Sequence, residues 1–170
     1  MDLDTEPVRE LCEEDGRDYL MADIKSPEER SLNMAKIHCR DTKPEIWLRK
    51  RLFARGYRYR KNVNSIAGHP DLWLRRYDTV IFVHGCFWHR HNSCKYAYMP
   101  KSRIEFWTDK FGRNISRDNQ VREQLRNEGI RILIVWECTI KKMVRYPETE
   151  LDITQKIEEF LRSAEEYLEL

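Results

Sequence analysis

Val80-Ile81-Phe82-Val83-His84-Gly85-Cys86-Phe87-Trp88-His89-Arg90-His91-Asn92-Ser93-Cys94 is the stretch on which the reading of the chain turns. It begins as an unbroken apolar run and reaches Gly85 soon after, the pattern of a buried strand that stops and gives way to a loop. Three of the chain's five histidines and two of its five cysteines fall between positions 84 and 94, next to the adjacent aromatics Phe87 and Trp88. A polar loop gains little from two large aromatics as core. The stretch therefore reads as a metal site, a catalytic histidine and an aromatic wedge for nucleic acid, placed side by side.

Cys86, His91 and Cys94 have C-x4-H-x2-C spacing, and Cys138 ends the other strongly hydrophobic run, Arg131 to Trp136. If the two strands are neighbours, three thiolates and one imidazole converge in a soft, closed tetrahedral set, which favours a structural Zn2+. His89 is a competing ligand. Cys12 and Cys39 read as ordinary thiols, and an odd total of five cysteines suits a reducing compartment better than a disulfide framework.

Working outward, the 170 residues with 41% hydrophobic content support one core and one domain, expected over residues 21–170. Residues 1–20 carry eight acids against two arginines, a net of −6, and read as a mobile extension with Met21 as an alternative start. The rest of the chain then carries +8 of the overall +2, which suggests an anionic partner, nucleic acid first. No segment is apolar enough to span a bilayer, and no signal-like N-terminus is present, so a soluble, cytoplasmic protein is expected.

Ser26-Pro27-Glu28-Glu29 reads as a capping box opening a helix through Met34 to about Ile37. Thr42-Lys43-Pro44-Glu45 repeats the device, and Ile46, Leu48, Leu52 and Phe53 predict an apolar helix face that ends at Gly56. Tyr57 to Val63, Asp71 to Leu74 and Thr79 to His84 predict three strands in a meander. Helices are expected over 103–111 and 116–127, then a central strand over 131–136 and a last amphipathic helix with Ile153, Ile157, Phe160, Leu161 and Leu168. The sum is an α/β domain with a mixed central sheet flanked by helices.

Pro70-Asp71, followed by a strand, a turn and another strand, is how many nucleases place an acid for Mg2+. The second strand there normally supplies an acid and a lysine. Phe82-Val83-His84 has neither, so the histidine-rich loop is the available source of a base. With these residues in place, the chain resembles the very-short-patch repair (Vsr) endonucleases, DNA mismatch endonucleases with a restriction-endonuclease-like fold. The likeness covers about residues 21–165. It rests on Arg30-Ser31 with Asn33-Met34, Arg40-Asp41-Thr42, Gly68-His69-Pro70-Asp71, the run Ile81 to His89, Glu105-Phe106-Trp107, and Ile134-Val135-Trp136-Glu137-Cys138.

The resemblance implies nicking of one strand of double-stranded DNA, 5′ to the T of a T·G mismatch left by deamination of 5-methylcytosine. It implies Mg2+ on Asp71 and the Val83 backbone carbonyl, His89 activating water, and Glu45 and His84 supporting the metal-water network. Phe87, Trp88 and Trp107 would intercalate from the major groove, with Met34 entering from the minor groove. Two departures stand out: Val83 replaces the family's usual Thr, and one extra residue separates His91 from Cys94. Lys95, Lys101, Arg103, Lys110, Arg113 and Arg117 flank the aromatics as candidate phosphate contacts. On family grounds mismatch-repair proteins are candidate partners, and a monomer acting on a prokaryotic nucleoid is expected. The alternatives are a restriction-type nuclease cutting unmismatched DNA and a non-catalytic zinc-containing module that binds distorted DNA.

Overall fold

The structure, a computed structural model, describes residues 40–170. The expected extension over residues 1–20, Met21, the helix carrying Met34, and the thiols Cys12 and Cys39 lie outside the described residues.

Helix α1 spans Lys43–Ala54, with Pro44 in its first turn, where a missing N–H costs nothing. Thr42 is the N-cap, but its hydroxyl donates to Glu45 Oε1 at 2.6 Å instead of capping a backbone amide, so the capping box takes an altered form. Gly56, at φ +91°, ends the helix. The expected apolar face is only half correct. Ile46 and Phe53 are 38% and 54% exposed, and the buried stripe is Glu45, Leu48, Arg49 and Leu52. Those positions follow the i, i+3, i+4, i+7 period, so this helix buries two charged residues where a purely structural one would bury apolar residues.

The strand expected over 57–63 shrinks to β1, Arg60–Lys61. Its start is taken up by the helix end, because Tyr57 N–H still donates to Leu52 O at 3.0 Å, and Asn62 at φ +49° terminates it. Strand β2, Leu72–Leu74, turns through a 3-10 segment, Arg75–Tyr77, into β3, Thr79–His84. The three strands form the expected antiparallel meander, with Arg60 opposite Trp73 and Leu72 opposite Ile81.

The two helices expected between 103 and 127 are one, the 24-residue α2, Ile104–Asn127. Gly112 lies inside it with open space at its Cβ position; a glycine weakens a helix by about 1 kcal/mol relative to alanine but does not break it. Gly129, at φ +69°, ends α2, with Ile130 N–H reaching back to Leu125 O at 2.9 Å. The chain returns in β4, Arg131–Trp136, which lies parallel to β3 from Thr79 opposite Arg131 to His84 opposite Trp136.

A second correction follows β4. A helix that was not expected, α3 at Glu137–Arg145, precedes the last one, α4 at Pro147–Arg162, and the two are separate because the residue before Pro147, Tyr146, is held extended at φ −127°, ψ 108°. Leu168 belongs to no helix; it lies in β5, Tyr167–Glu169, an edge strand parallel to β4. The mixed five-stranded sheet has the order β1-β2-β3-β4-β5.

Alternation along β3 and β4 builds two cores. Ile81, Leu133 and Val135 pack with Leu48, Leu52, Ile140, Met143, Ile157 and Phe160 from α1, α3 and α4. Val80, Ile132, Ile134 and Trp136 pack with Leu125 of α2 and with Cys86 and Cys138. β4 is buried on both faces, as its unbroken apolar run requires. No described helix is long and apolar enough to cross a membrane.

Arg131 ties the layers together at the start of β4. Its guanidinium donates to Phe160 O, to Leu161 O at 3.3 Å, to Glu165 O at 2.8 Å and to Tyr77 O at 3.5 Å, satisfying carbonyls at the C-terminal end of α4. Arg131→Met keeps the stem and removes these bonds. Urea unfolding should register a loss of about 3 kcal/mol; a change below about 1 kcal/mol would mean that the anchor adds little.

Candidate nuclease centre and metal cluster

The parallel register of β3 and β4 positions a cysteine–histidine cluster that could hold a metal ion. His84 and Trp136 are opposite one another, so Cys86 and Cys138, each two residues further on, leave the sheet at the same level. The loop after Gly85 folds back by short turns, with His91 N–H donating to Cys86 O at 3.1 Å and Cys94 N–H to His91 O at 3.3 Å; Arg90 and Ser93 take positive φ to make them. The result brings the donor atoms of Cys86, His91, Cys94 and Cys138 within 4.8 Å of one another. His91 Nδ1 lies 3.7 Å from Cys86 Sγ and 3.3 Å from Cys138 Sγ.

Metal bonds of 2.0 to 2.3 Å to tetrahedral ligands set those ligands roughly 3.5 Å apart, so the donor set fits a zinc-type ion. Burial and the neighbouring Cys138 raise the pKa of the Cys86 thiol, a cost that a bound cation reverses. His91, not His89, joins the cysteines, and its ring stacks on Trp136 with centroids 4.1 Å apart.

Beside this cluster a cleft is lined by Glu45, Asp71, Val83, His84, His89 and Asp118, with Arg40 and Arg117 at its sides. β2 pairs with β3 only as far as Ile81, and Asp71 takes over where the ladder ends: its Oδ2 accepts Val83 N–H at 2.7 Å. Burial pushes the Asp71 carboxyl up to about 6; the Val83 amide opposes that shift and the charge of Glu45 adds to it. Glu45 is 4% exposed. Its Oε1 accepts the Thr42 hydroxyl, while Oε2 has no hydrogen-bond partner among the described residues and only Arg49 Nη2, 4.0 Å away, as a charge partner. A buried carboxylate oxygen without a donor is costly. A divalent cation shared with Asp71 would satisfy it, and on that observation the residues present fit such an ion.

His84 and His89 stack with centroids 3.8 Å apart and planes 12° from parallel. Burial, reinforced by the charge of His89, lowers His84 to about 3, so it is neutral at physiological pH. His89 Nδ1 contacts Asp118 Oδ2 at 2.5 Å. Asp118 is penalised by burial, yet the His89 hydrogen bond and charge hold its carboxyl below the ordinary range. This carboxylate fixes the proton on Nδ1 and leaves Nε2 as the acceptor.

Sequence reading missed Asp118, whose partner is 29 residues away. A signal was present: Phe111, Asp118 and Leu125 are spaced by sevens on α2, and the outer two are buried core, so an acid occupies a core-facing position.

The three aromatics of the expected wedge also come together, while Met34 lies outside the described residues. Phe87 lies 5.0 Å from Trp88, 5.4 Å from Trp107 and 5.1 Å from Phe111 between ring centroids, and Asn114 Nδ2 donates to Trp88 O at 3.0 Å. Lys110 stands over the Trp88 ring at 5.7 Å. Tyr98 and Phe106, not singled out from sequence, extend this half-exposed aromatic surface.

The class is an α/β domain with a cleft lined by carboxylates and histidines adjoining a cysteine–histidine cluster. Residues 22–95 match the family model described as DNA mismatch endonuclease Vsr. The chain is 40% identical over 141 residues to the DNA mismatch endonuclease Vsr of Escherichia coli strain K12, covering 83% of this chain and 88% of that protein. It is 46% identical to the type II nicking enzyme V.NmeAIP of Neisseria meningitidis serogroup A, over 71% of this chain and 86% of that one. Against the type II nicking enzyme V.XorIIP of Xanthomonas oryzae pv. oryzae it is 37% identical, over 72% and 90%. The chain belongs to the Vsr DNA mismatch endonuclease family.

The raised Asp71 pKa predicts a stability cost that the site carries without its cation. The folded carboxyl, at about 6 against an ordinary 3.8, holds its proton more tightly than the unfolded one. The stabilisation from that proton is complete below about pH 4 and is lost as pH rises through about 6. Asp71→Asn keeps an acceptor for Val83 N–H and removes the titration. Without added divalent cation, its advantage over the parent in urea unfolding should grow from near zero at pH 4 to about 3 kcal/mol at pH 7.5. A gap independent of pH would contradict the assignment.

Proposed function

We propose that the protein nicks one strand of double-stranded DNA 5′ to the T of a T·G mismatch, opening very-short-patch repair. The observation that carries this reading is the pairing, in one cleft, of the buried Glu45 and half-buried Asp71 carboxylates with the His89–Asp118 couple, beside an aromatic cluster in a Vsr-family chain.

Asp71 and the Val83 carbonyl would hold Mg2+. In a strand, the N–H and C=O of one residue address the same neighbour, and the Val83 N–H already faces Asp71. A backbone ligand makes no use of a side-chain hydroxyl, so Val83 in place of the family's Thr is compatible with this role. When bound, the cation supplies electrostatic stabilisation for charge developing on the scissile phosphate.

His89 Nε2, oriented by Asp118, takes the proton of the attacking water as its oxygen bonds to phosphorus and the leaving oxygen departs with the bonding pair. Glu45 completes the carboxylate environment, and neutral His84 supports the His89 ring by stacking. Cys86, His91, Cys94 and Cys138 would hold a structural Zn2+ that fixes the loop carrying Phe87, Trp88 and His89.

Phe87, Trp88 and Trp107 would stack on bases beside the mismatch, with Met34 entering from the other groove. Stacking of about 1 to 3 kcal/mol per base nearly offsets the cost of unstacking a step, so a weakly paired T·G is favoured over a matched pair. The protein would act as a monomer in a prokaryotic cytoplasm, on the nucleoid, alongside mismatch-repair proteins.

The test is nicking of end-labelled duplexes carrying one T·G mismatch, with matched C·G duplexes and metal-free buffer as controls. A single Mg2+-dependent cut 5′ to the T is expected, and His89→Ala should lower kcat by about 10²- to 10⁴-fold in a folded protein. Cutting of matched duplexes would favour a restriction-type nuclease. Mismatch binding without a nick would leave only a recognition module.

A further inference from the structure

Glu169, in the edge strand β5, has both carboxylate oxygens engaged by aromatic donors. Oε1 accepts the Trp136 indole N–H at 2.6 Å and Oε2 accepts the Tyr167 hydroxyl at 2.5 Å. The backbone adds to this clamp, with Trp136 N–H donating to Leu170 O at 2.8 Å and Leu170 N–H to Ile134 O at 2.9 Å. The pinned indole is 5% exposed and stands between two groups of functional rings. His91 of the thiolate cluster stacks on it at 4.1 Å with planes 4° apart, and His84 meets it edge-on at 5.5 Å and 72°. His84 in turn stacks on His89, which ends on Asp118. An unbroken series of contacts therefore runs from Glu169 through Trp136 to His91 on one branch and to His84, His89 and Asp118 on the other.

We infer that Trp136, held at its indole N–H by Glu169, is a positioning residue that orients both the cluster ligand His91 and, through His84, the base His89. This inference rests on the role proposed for His89 above. Packing alone asks only for an apolar group of this size at the end of β4. An indole adds a donor that must be satisfied, and here a carboxylate satisfies it in a short, charge-assisted bond that fixes the ring's rotation. Parallel stacking passes that orientation to the neighbouring ring, because a tilt of either ring opens the contact. β5, remote in sequence from the loop, thereby becomes part of the catalytic apparatus. Glu169 lies on the exposed side of β5, so replacing it leaves no buried charge behind.

The experiment compares Glu169→Gln, whose amide oxygen still accepts the indole N–H, with Glu169→Leu and Trp136→Phe, which both abolish the bond. Three readouts are taken on each folded protein: the imidazole nitrogen and proton NMR signals of His84, His89 and His91; zinc per chain by elemental analysis; and kcat and KM for nicking a T·G duplex. Glu169→Leu and Trp136→Phe should move the His91, His84 and His89 signals and lower kcat about tenfold, with KM changed less than about twofold and zinc content unchanged. Glu169→Gln should restore kcat to within about twofold, and the Trp136→Phe, Glu169→Leu double variant should lose no more than either single one. Unmoved ring signals in Glu169→Leu would overturn the inference. So would equal losses in Glu169→Gln and Glu169→Leu, or zinc lost in step with kcat. A parent protein that shows no nicking would refute the repair reading alone, because ring signals and zinc content still judge the clamp.

Discussion

The parallel pairing of β3 with β4 is the constraint on which the rest of the structure depends. Six residue pairs lock the two strands, and because side chains alternate with period two, a slip of one residue would exchange their two faces. Ile81, Leu133 and Val135 would leave the core they share with α1, α3 and α4, and Val80, Ile132 and Ile134 would leave the one they share with α2. The same slip would part Cys86 from Cys138 and take His84 from its contact with Trp136. Burial of both faces thus fixes a register that the site then uses.

What grows from the ends of those strands runs against good packing. α1 turns Glu45 and Arg49 inward, Asp71 sits half-buried in the cleft with Glu45, and α2 places Asp118 on its core-facing stripe. Glu45, Asp71 and Asp118 line the cleft, and each is balanced locally: Val83 N–H on Asp71, Thr42 on Glu45, His89 on Asp118. Only Glu45 Oε2 is left without a donor among the described residues, at the point where a cation would complete the set. Departures of this kind are expected where a fold gives up stability for chemistry. On the other side Cys86, His91, Cys94 and Cys138 converge where a metal ion could hold a loop whose own hydrogen bonds are a few short turns.

The sequence was most legible where one residue pattern admitted one structure. The apolar runs of β3 and β4 appeared at their observed bounds, as did α1, set by Pro44 and Gly56, and local spacing with strand ends anticipated that Cys86, His91, Cys94 and Cys138 converge. It was least legible where distant partners decide. Tyr57 to Val63 alternates like a strand, yet Tyr57 is spent on ending α1, and β1 keeps two residues. Leu168 fits a helical period, but the open edge of β4 recruits it into β5. The gap expected between helices 103–111 and 116–127 is absent, because α2 runs on through Gly112, where nothing demands a left-handed backbone. Asp118 shows locally only as an acid in step with the buried Phe111 and Leu125; its meaning comes from His89, across the cleft.

The register of β3 and β4 has one direct chemical consequence, the closing of Cys86, His91, Cys94 and Cys138 around a single point. X-ray absorption at the zinc edge of the purified, folded protein measures it. The expected result is one zinc per chain with three sulfurs at about 2.3 Å and one nitrogen at about 2.0 Å. A shell dominated by oxygen, or a folded and active protein holding no zinc, would contradict the account.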